Sequence, residues 1–313
     1  MGIVPWSYTP PMWIPGYRDN LEPTFWDGTA CPQNPTVRYL GAEIEVANGT
    51  TVEHAKNLDK VITKWHALVH GDCAFEVCTA PAGGHLWVDQ ITELCTIFHA
   101  AKISASGYDC GCHVHVDARD LCVFAIERLV RLLVHIEPIL FMMVPAARRG
   151  NTYCAPTTFL LQSWLARLSP TTPRKEWLLE CIYGRNEKGI IRYHDEAAMR
   201  ELKKNKTKHC GIIPRFHAFN FQPYYGHGTI ECRLLNGCTN ATRLINWGVL
   251  LAAIFDYAKN SCKDDIARIV THSRLRTVLV LSPSPAHRRW IVQTIRTHNP
   301  RVQLSKEIAK VYG

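Results

Sequence analysis

The chain has 313 residues, 47% of them hydrophobic and 20% charged, and a formal net charge of +9. These proportions fit a soluble globular protein with a substantial core, built as one large domain or two ordinary ones. No apolar run is long enough to span a bilayer, since Leu129 to Val144, the longest, is interrupted by Arg131, His135, Glu137 and Pro138.

Residues 1–36 are rich in Pro, Trp and Tyr without periodicity and read as an extended arm. Their first residues lack the charged start and apolar core of a secretory signal, and Trp6 breaks the myristoylation pattern. Five short segments then share one construction. Each reads as a strand with ionisable groups two or four residues apart, and such groups point to the same face. Leu40-Gly41-Ala42-Glu43-Ile44-Glu45-Val46 sets Glu43 and Glu45 opposite Leu40, Ala42, Ile44 and Val46. Asp72 and Glu76 lie opposite Phe75 and Val77, and His113, His115 and Asp117 lie opposite Cys112, Val114 and Val116. Arg215 and His217 share a face, as do Glu231 and Arg233.

Between these strands the spacing predicts helices over 51–68, 86–104 and 121–144, the last one long helix or a pair kinked at Pro138. Residues 145–211 lose their pattern and form an insertion that carries the basic loop Lys203 to His209. Asn240 or Thr239 caps a helix running to about Lys259, and 261–313 reads as a separate helical appendage. Strands alternating with helices that cover one face predict an α+β layer rather than a doubly wound parallel sheet. Neither a Rossmann turn nor a P-loop is present. The thirteen cysteines are scattered through apolar patterns, as free thiols of a reducing compartment would be, and this predicts a cytoplasmic protein.

Alternation alone can mean one wetted face. A wetted face would carry Lys, Ser and Thr, however, whereas these strands carry Glu, His, Asp and Arg, the residues that hold hard cations and phosphates. Two carboxylates such as Glu43 and Glu45 repel each other unless a cation sits between them.

The ordered set Gly41-x-Glu43-x-Glu45, Asp72…Glu76…Pro81, Gly111-x-His113-Val114-His115-Val116-Asp117, Arg215-Phe216-x-x-x-Asn220 and Thr229-Ile230-Glu231-x-Arg233 resembles the amidoligase family. That family belongs with glutamine synthetase and the carboxylate–amine ligases, and the likeness covers about residues 37–260. It implies a glutamine synthetase-like catalytic fold, a curved antiparallel sheet whose concave polar face holds ATP and Mg²⁺, with helices behind. It also implies an amide-forming ligase that works through an acyl phosphate. Glu43, Glu45, Glu76, one or both of His113 and His115, and Glu231 would then be metal ligands or near neighbours. Arg215 and Arg233 would bind phosphate oxygens, with His115 beside the nucleotide. Asn220 would orient substrate or nucleotide. The attacking amine must be unprotonated, and Asp72, beside Glu76, is a candidate to bind the ammonium and accept its proton.

The expected partners are a carboxylate and an amine, with no membrane. A homo-oligomer, and a polyanion on the basic loop and tail, stay open. Three rival readings compete. Cys110, Cys112, His113 and His115 could hold structural zinc, although strand parity points Cys112 away. A metal-dependent phosphohydrolase would favour an Asp-rich site. A nucleic-acid-binding protein would stack bases on Trp6, Tyr8, Trp13, Tyr17 and Trp26.

Overall fold

The computed structural model describes residues 38–46, 68–70, 75–105, 110–169, 177–178, 185–186, 189–190, 216–224 and 228–301. The arm, nearly all of the helix predicted at 51–68 and the lysine loop lie outside them. Six antiparallel strands form one sheet in the order β2-β3-β1-β4-β8-β7. They are β1 (Leu40–Val46), β2 (Leu68–His70), β3 (Phe75–Cys78), β4 (Gly111–Asp117), β7 (Phe219–Asn220) and β8 (Thr229–Asn236). A separate two-strand ribbon joins β5 (Arg185–Asn186) to β6 (Gly189–Ile190).

The apolar halves of the alternating strands meet across the sheet, with Ala42 opposite Val114, Val114 opposite Cys232, and Ile44 opposite both Val77 and Cys112. All are buried beneath two helices, α1 (His85–Ala100) and α5 (Ala241–Asn260). Gly84 precedes α1 with φ 58°, a conformation that glycine adopts without strain. Asn240 caps α5 by accepting from the Arg243 backbone N–H at 2.9 Å. Helix α5 lies so close to the sheet at Gly248 that a methyl there would sit 2.9 Å from Leu40 Cδ1 and from the Trp87 ring.

Helix α2 (Val123–Met142) packs on α5 and runs on through Pro138 as one helix rather than a pair. After the four-residue α3 (Ala146–Arg149), α4 (Thr158–Ala166) returns against α2. Glu137, 1% exposed, binds the first turn of α4 by accepting from the backbone N–H groups of Thr157 at 2.8 Å and Thr158 at 2.7 Å. The Thr157 hydroxyl in turn accepts from the Phe219 N–H at 2.9 Å, which fixes β7 at the sheet edge.

The C-terminal helices are α6 (Lys263–Ile269), α7 (Arg274–Leu281) and α8 (Pro285–His298). Rather than forming a core of their own, they place Leu275, Val278, Leu279, Ile291, Val292 and Ile295 in the one that backs the sheet. Among the described residues no helix is long and apolar enough to cross a membrane. The nine described cysteines are all free thiols, and all but Cys262 are buried.

Arg38, just before β1, ties that strand to the segment after β4 and to α5. It grips Asp120 with Nη1 at 2.7 Å and Nη2 at 3.0 Å, and reaches Asp256 on α5 with Nε at 2.7 Å. Lys259 adds a second cation to Asp120 at 3.0 Å. Removing one partner of a buried ion network strands the others. Arg38→Ala is therefore expected to lose roughly 3–5 kcal/mol, read as a lower urea midpoint at unchanged slope.

Candidate functional site

The polar halves of the same strands meet on the sheet's other face. Register sets Glu43 opposite His113, Glu45 opposite Glu76, His115 opposite Glu231, and Glu231 opposite Asn220. His113 is the hub. Its Nδ1 lies 3.2 Å from Glu43 Oε2 and 3.2 Å from Glu231 Oε1, and its Nε2 lies 3.8 Å from Glu45 Oε1. His115 reaches Glu43 Oε1 with Nε2 at 3.0 Å and Thr229 Oγ1 with Nδ1 at 2.9 Å. Glu231 accepts from Asn220 Nδ2 at 2.7 Å and from Arg233 Nη1. Glu45 accepts from the Gly111 backbone N–H, and the Cys78 thiol donates to Glu76 Oε1 at 3.6 Å.

Strand β8 carries one residue more than β4 here. Cys112 faces Leu235 while Val114 faces Cys232, so Arg233 and Leu234 together oppose His113. This β-bulge bends β8 at the site, a common device for re-aiming a side chain.

These contacts decide the charges. Burial pushes Glu43 up, but the two imidazoles outweigh it and hold its carboxyl well below the usual range. Burial likewise opposes ionisation of Glu231, and Arg233, His113 and His115 overcome it. His115 is lowered by burial and raised more by Glu43, leaving its pKa above the ordinary imidazole value. Glu76 has no such cation. Burial and the carboxylates of Glu43 and Glu45 push it up to about 7.

The site therefore brings together Glu43, Glu45, Glu76, His113, His115, Asn220, Glu231 and Arg233 of the expected residues. Asp72 and Arg215 lie outside the described residues. Asn220 is turned to Glu231, and its Oδ1 accepts from the Gln222 N–H at 3.0 Å. Asp117 is taken up by an ion pair with Arg119 at 2.6 Å. A zinc cluster of Cys110, Cys112 and the two histidines does not form, because Cys112 is fully buried on the apolar face.

Cys78 and Arg148 went unread in the sequence. Cys78 stands two residues from Glu76 and hence on its face, so parity contained that signal. Arg148 sits on α3, where no strand pattern points to it; its Nη2 donates to the Arg233 carbonyl at 2.6 Å.

Two sets of donor atoms lie within 4.8 Å of one another: Glu43, His115 and Glu231, and Glu43, Glu76 and Cys78. Carboxylate oxygens with an imidazole suit a hard divalent cation, and the raised Glu76 marks negative charge that a cation would neutralise. In chelator-treated protein the uncompensated Glu76 gives a signed pH effect. A carboxyl whose folded pKa is raised stabilises the fold below its unfolded value of about 4.5, and that contribution is lost as pH rises through about 7. Glu76→Gln should thus melt higher than the parent at pH 8 and match it at pH 4. Added Mg²⁺ should narrow the gap at pH 8, as followed by thermal unfolding.

No curated protein matches the chain. The family model described as "putative amidoligase enzyme" matches residues 73–255, more than half of the chain. The hub histidine, its neighbour His115, and the Asn220–Glu231–Arg233 group all fall inside that span, and the chain belongs to this amidoligase family of enzymes.

Proposed function

We propose that the protein is an ATP- and Mg²⁺-dependent carboxylate–amine ligase that forms an amide through an acyl phosphate, on a glutamine synthetase-like sheet. The observation that carries this reading is the clustering of Glu43, Glu231, His113, His115 and Arg233 on one sheet face of an amidoligase-family chain. Glu43, Glu231 and His115 would hold one Mg²⁺, with Glu45, Glu76 and His113 beside it. Bound there, the metal supplies charge neutralisation for the triphosphate and the incoming carboxylate.

The protein's own groups then have separable tasks. Arg233 is held by Glu231 through Nη1 and by the Tyr153 carbonyl through Nε at 3.2 Å. Its Nη2 has no partner among the described residues and is available to an oxygen of the transferring phosphoryl. Asn220 keeps Glu231 in place. His113 holds Glu43 and Glu231 at fixed spacing, so the site is organised before substrate arrives.

In the reaction, the γ-phosphoryl group of ATP passes to a carboxylate oxygen. The bond from Pγ to the bridging oxygen breaks and ADP leaves. An unprotonated amine next attacks the acyl carbon, orthophosphate departs, and nitrogen sheds one proton. The carboxylate's hydroxide is thereby exchanged for a much better leaving group.

The test is a screen of acid and amine pairs for equal release of ADP and phosphate, each dependent on both substrates. Glu231→Gln keeps the size of the side chain and removes its charge. It is expected to fold and to lose turnover by about two to three orders of magnitude. Phosphate release that needs neither acid nor amine would replace the ligase with a phosphohydrolase.

A further inference from the structure

Two adjacent arginines on α3 have opposite surroundings. Arg149 is spent on structure: its Nε donates to the Phe141 carbonyl at 2.9 Å and its Nη2 to the Val144 carbonyl at 3.0 Å. Arg148 is 5% exposed, and its one hydrogen bond among the described residues is from Nη2 to the Arg233 carbonyl. Its Nε is buried without a hydrogen-bond partner among the described residues. No described carboxylate lies within ion-pair distance of it. A guanidinium taken out of water in this way is costly unless something completes its fork.

The position of that fork is also built. Gly111 opens β4, and a Cβ placed there would come 2.8 Å from Arg148 Nη2, 2.8 Å from His113 Nε2 and 3.3 Å from Glu45 Oε2. The guanidinium and the hub histidine thus both border Gly111, a residue that must lack a side chain to admit them. Its carbonyl contact further ties it to Arg233, so two cations flank the acidic cluster on the side of α3 and the turn at Thr152–Cys154.

We propose that Arg148 binds an oxyanion of the reactants, either the substrate carboxylate or the terminal phosphoryl group, as the second arginine of the site. This rests on the ligase reading and adds a residue to it. A planar fork with an unused Nε and a neighbouring N–H is the shape that grips two oxygens of one carboxylate or phosphoryl group. The carboxylates already in the site discourage a stray anion, so an occupant must arrive with its own cation or exchange its charge in the reaction.

The experiment compares the parent with Arg148→Met, Arg148→Lys and Gly111→Ala. Calorimetric titrations use the Mg²⁺ complexes of β,γ-imido-ATP and of ADP, and steady-state kinetics use the acid and amine pair found by the screen. Near-UV circular dichroism and the melting midpoint establish folding. Arg148→Met should weaken imido-ATP, or raise KM for the carboxylate, at least tenfold, while ADP affinity stays within twofold. The first result assigns the phosphoryl oxyanion and the second the carboxylate. Arg148→Lys should recover only part of the loss. Gly111→Ala, which keeps every charge but crowds the fork together with His113 and Glu45, should weaken the same ligand at least as much, and Arg148→Lys covers the case in which Arg148→Met does not fold. If both parameters stay within twofold of the parent in folded variants, Arg148 is structural and the proposal falls while the ligase reading stands. If the parent itself binds no nucleotide and joins no pair, both fall together.

Discussion

Carboxylates cannot be stacked on one sheltered sheet face unless hydrogen-bond donors or cations are interleaved with them. The register of β4 between β1 and β8 supplies that interleaving. His113 and His115 enter between Glu43 and Glu231, and Arg233 closes the far side. Each group shifts its neighbours: Glu43 raises His115's pKa, and the imidazoles lower Glu43's. A shift of one residue in either pairing would send the histidines to the helices and leave the glutamates uncompensated. The geometry of the site and the pairing of the sheet are therefore one constraint.

The apolar face secures that pairing from behind. Helices α1 and α5 bury the alternate residues of β1, β4 and β8, and α5 reaches closest where Gly248 meets Leu40. A second path of polar contacts reaches the front. Glu137 on α2 holds the first turn of α4, Thr157 holds the Phe219 N–H of β7, and the next residue, Asn220, holds Glu231. Burial alone raises Glu137's carboxyl, and it is the donors at Thr157 and Thr158 that offset the cost. A carboxylate that touches no site residue thus helps to hold one that does.

Much of this was legible because strand parity is a local rule. Glu43 with Glu45, His113 with His115, and Glu231 with Arg233 each needed only the residue between them to be apolar. Helix α5 was equally plain, with Asn240 as its cap and Leu244, Trp247, Leu251, Ile254 and Phe255 turned inward. What escaped depends on contacts between distant segments. Arg148 lies on a four-residue helix in a patternless stretch, and only the folded chain brings it over Gly111. The C-terminal helices read as separate because their weak patterning says nothing of the surface they share with α2 and α5. Strand β7 pairs over only Phe219–Asn220, since pairing partners rather than propensity decide where a ladder stops.

The bulge in β8 has a consequence for how such proteins diverge. It absorbs an extra residue beside His113 and still returns Leu235 to its seat against Cys112, so the chain's length can change there by one without exchanging inside for outside. A single-codon insertion or deletion within β1 or β4 has no such refuge and would invert everything beyond it. Length drift among homologues should accordingly gather at this kink and in the connections, leaving the two central strands free to vary only by substitution.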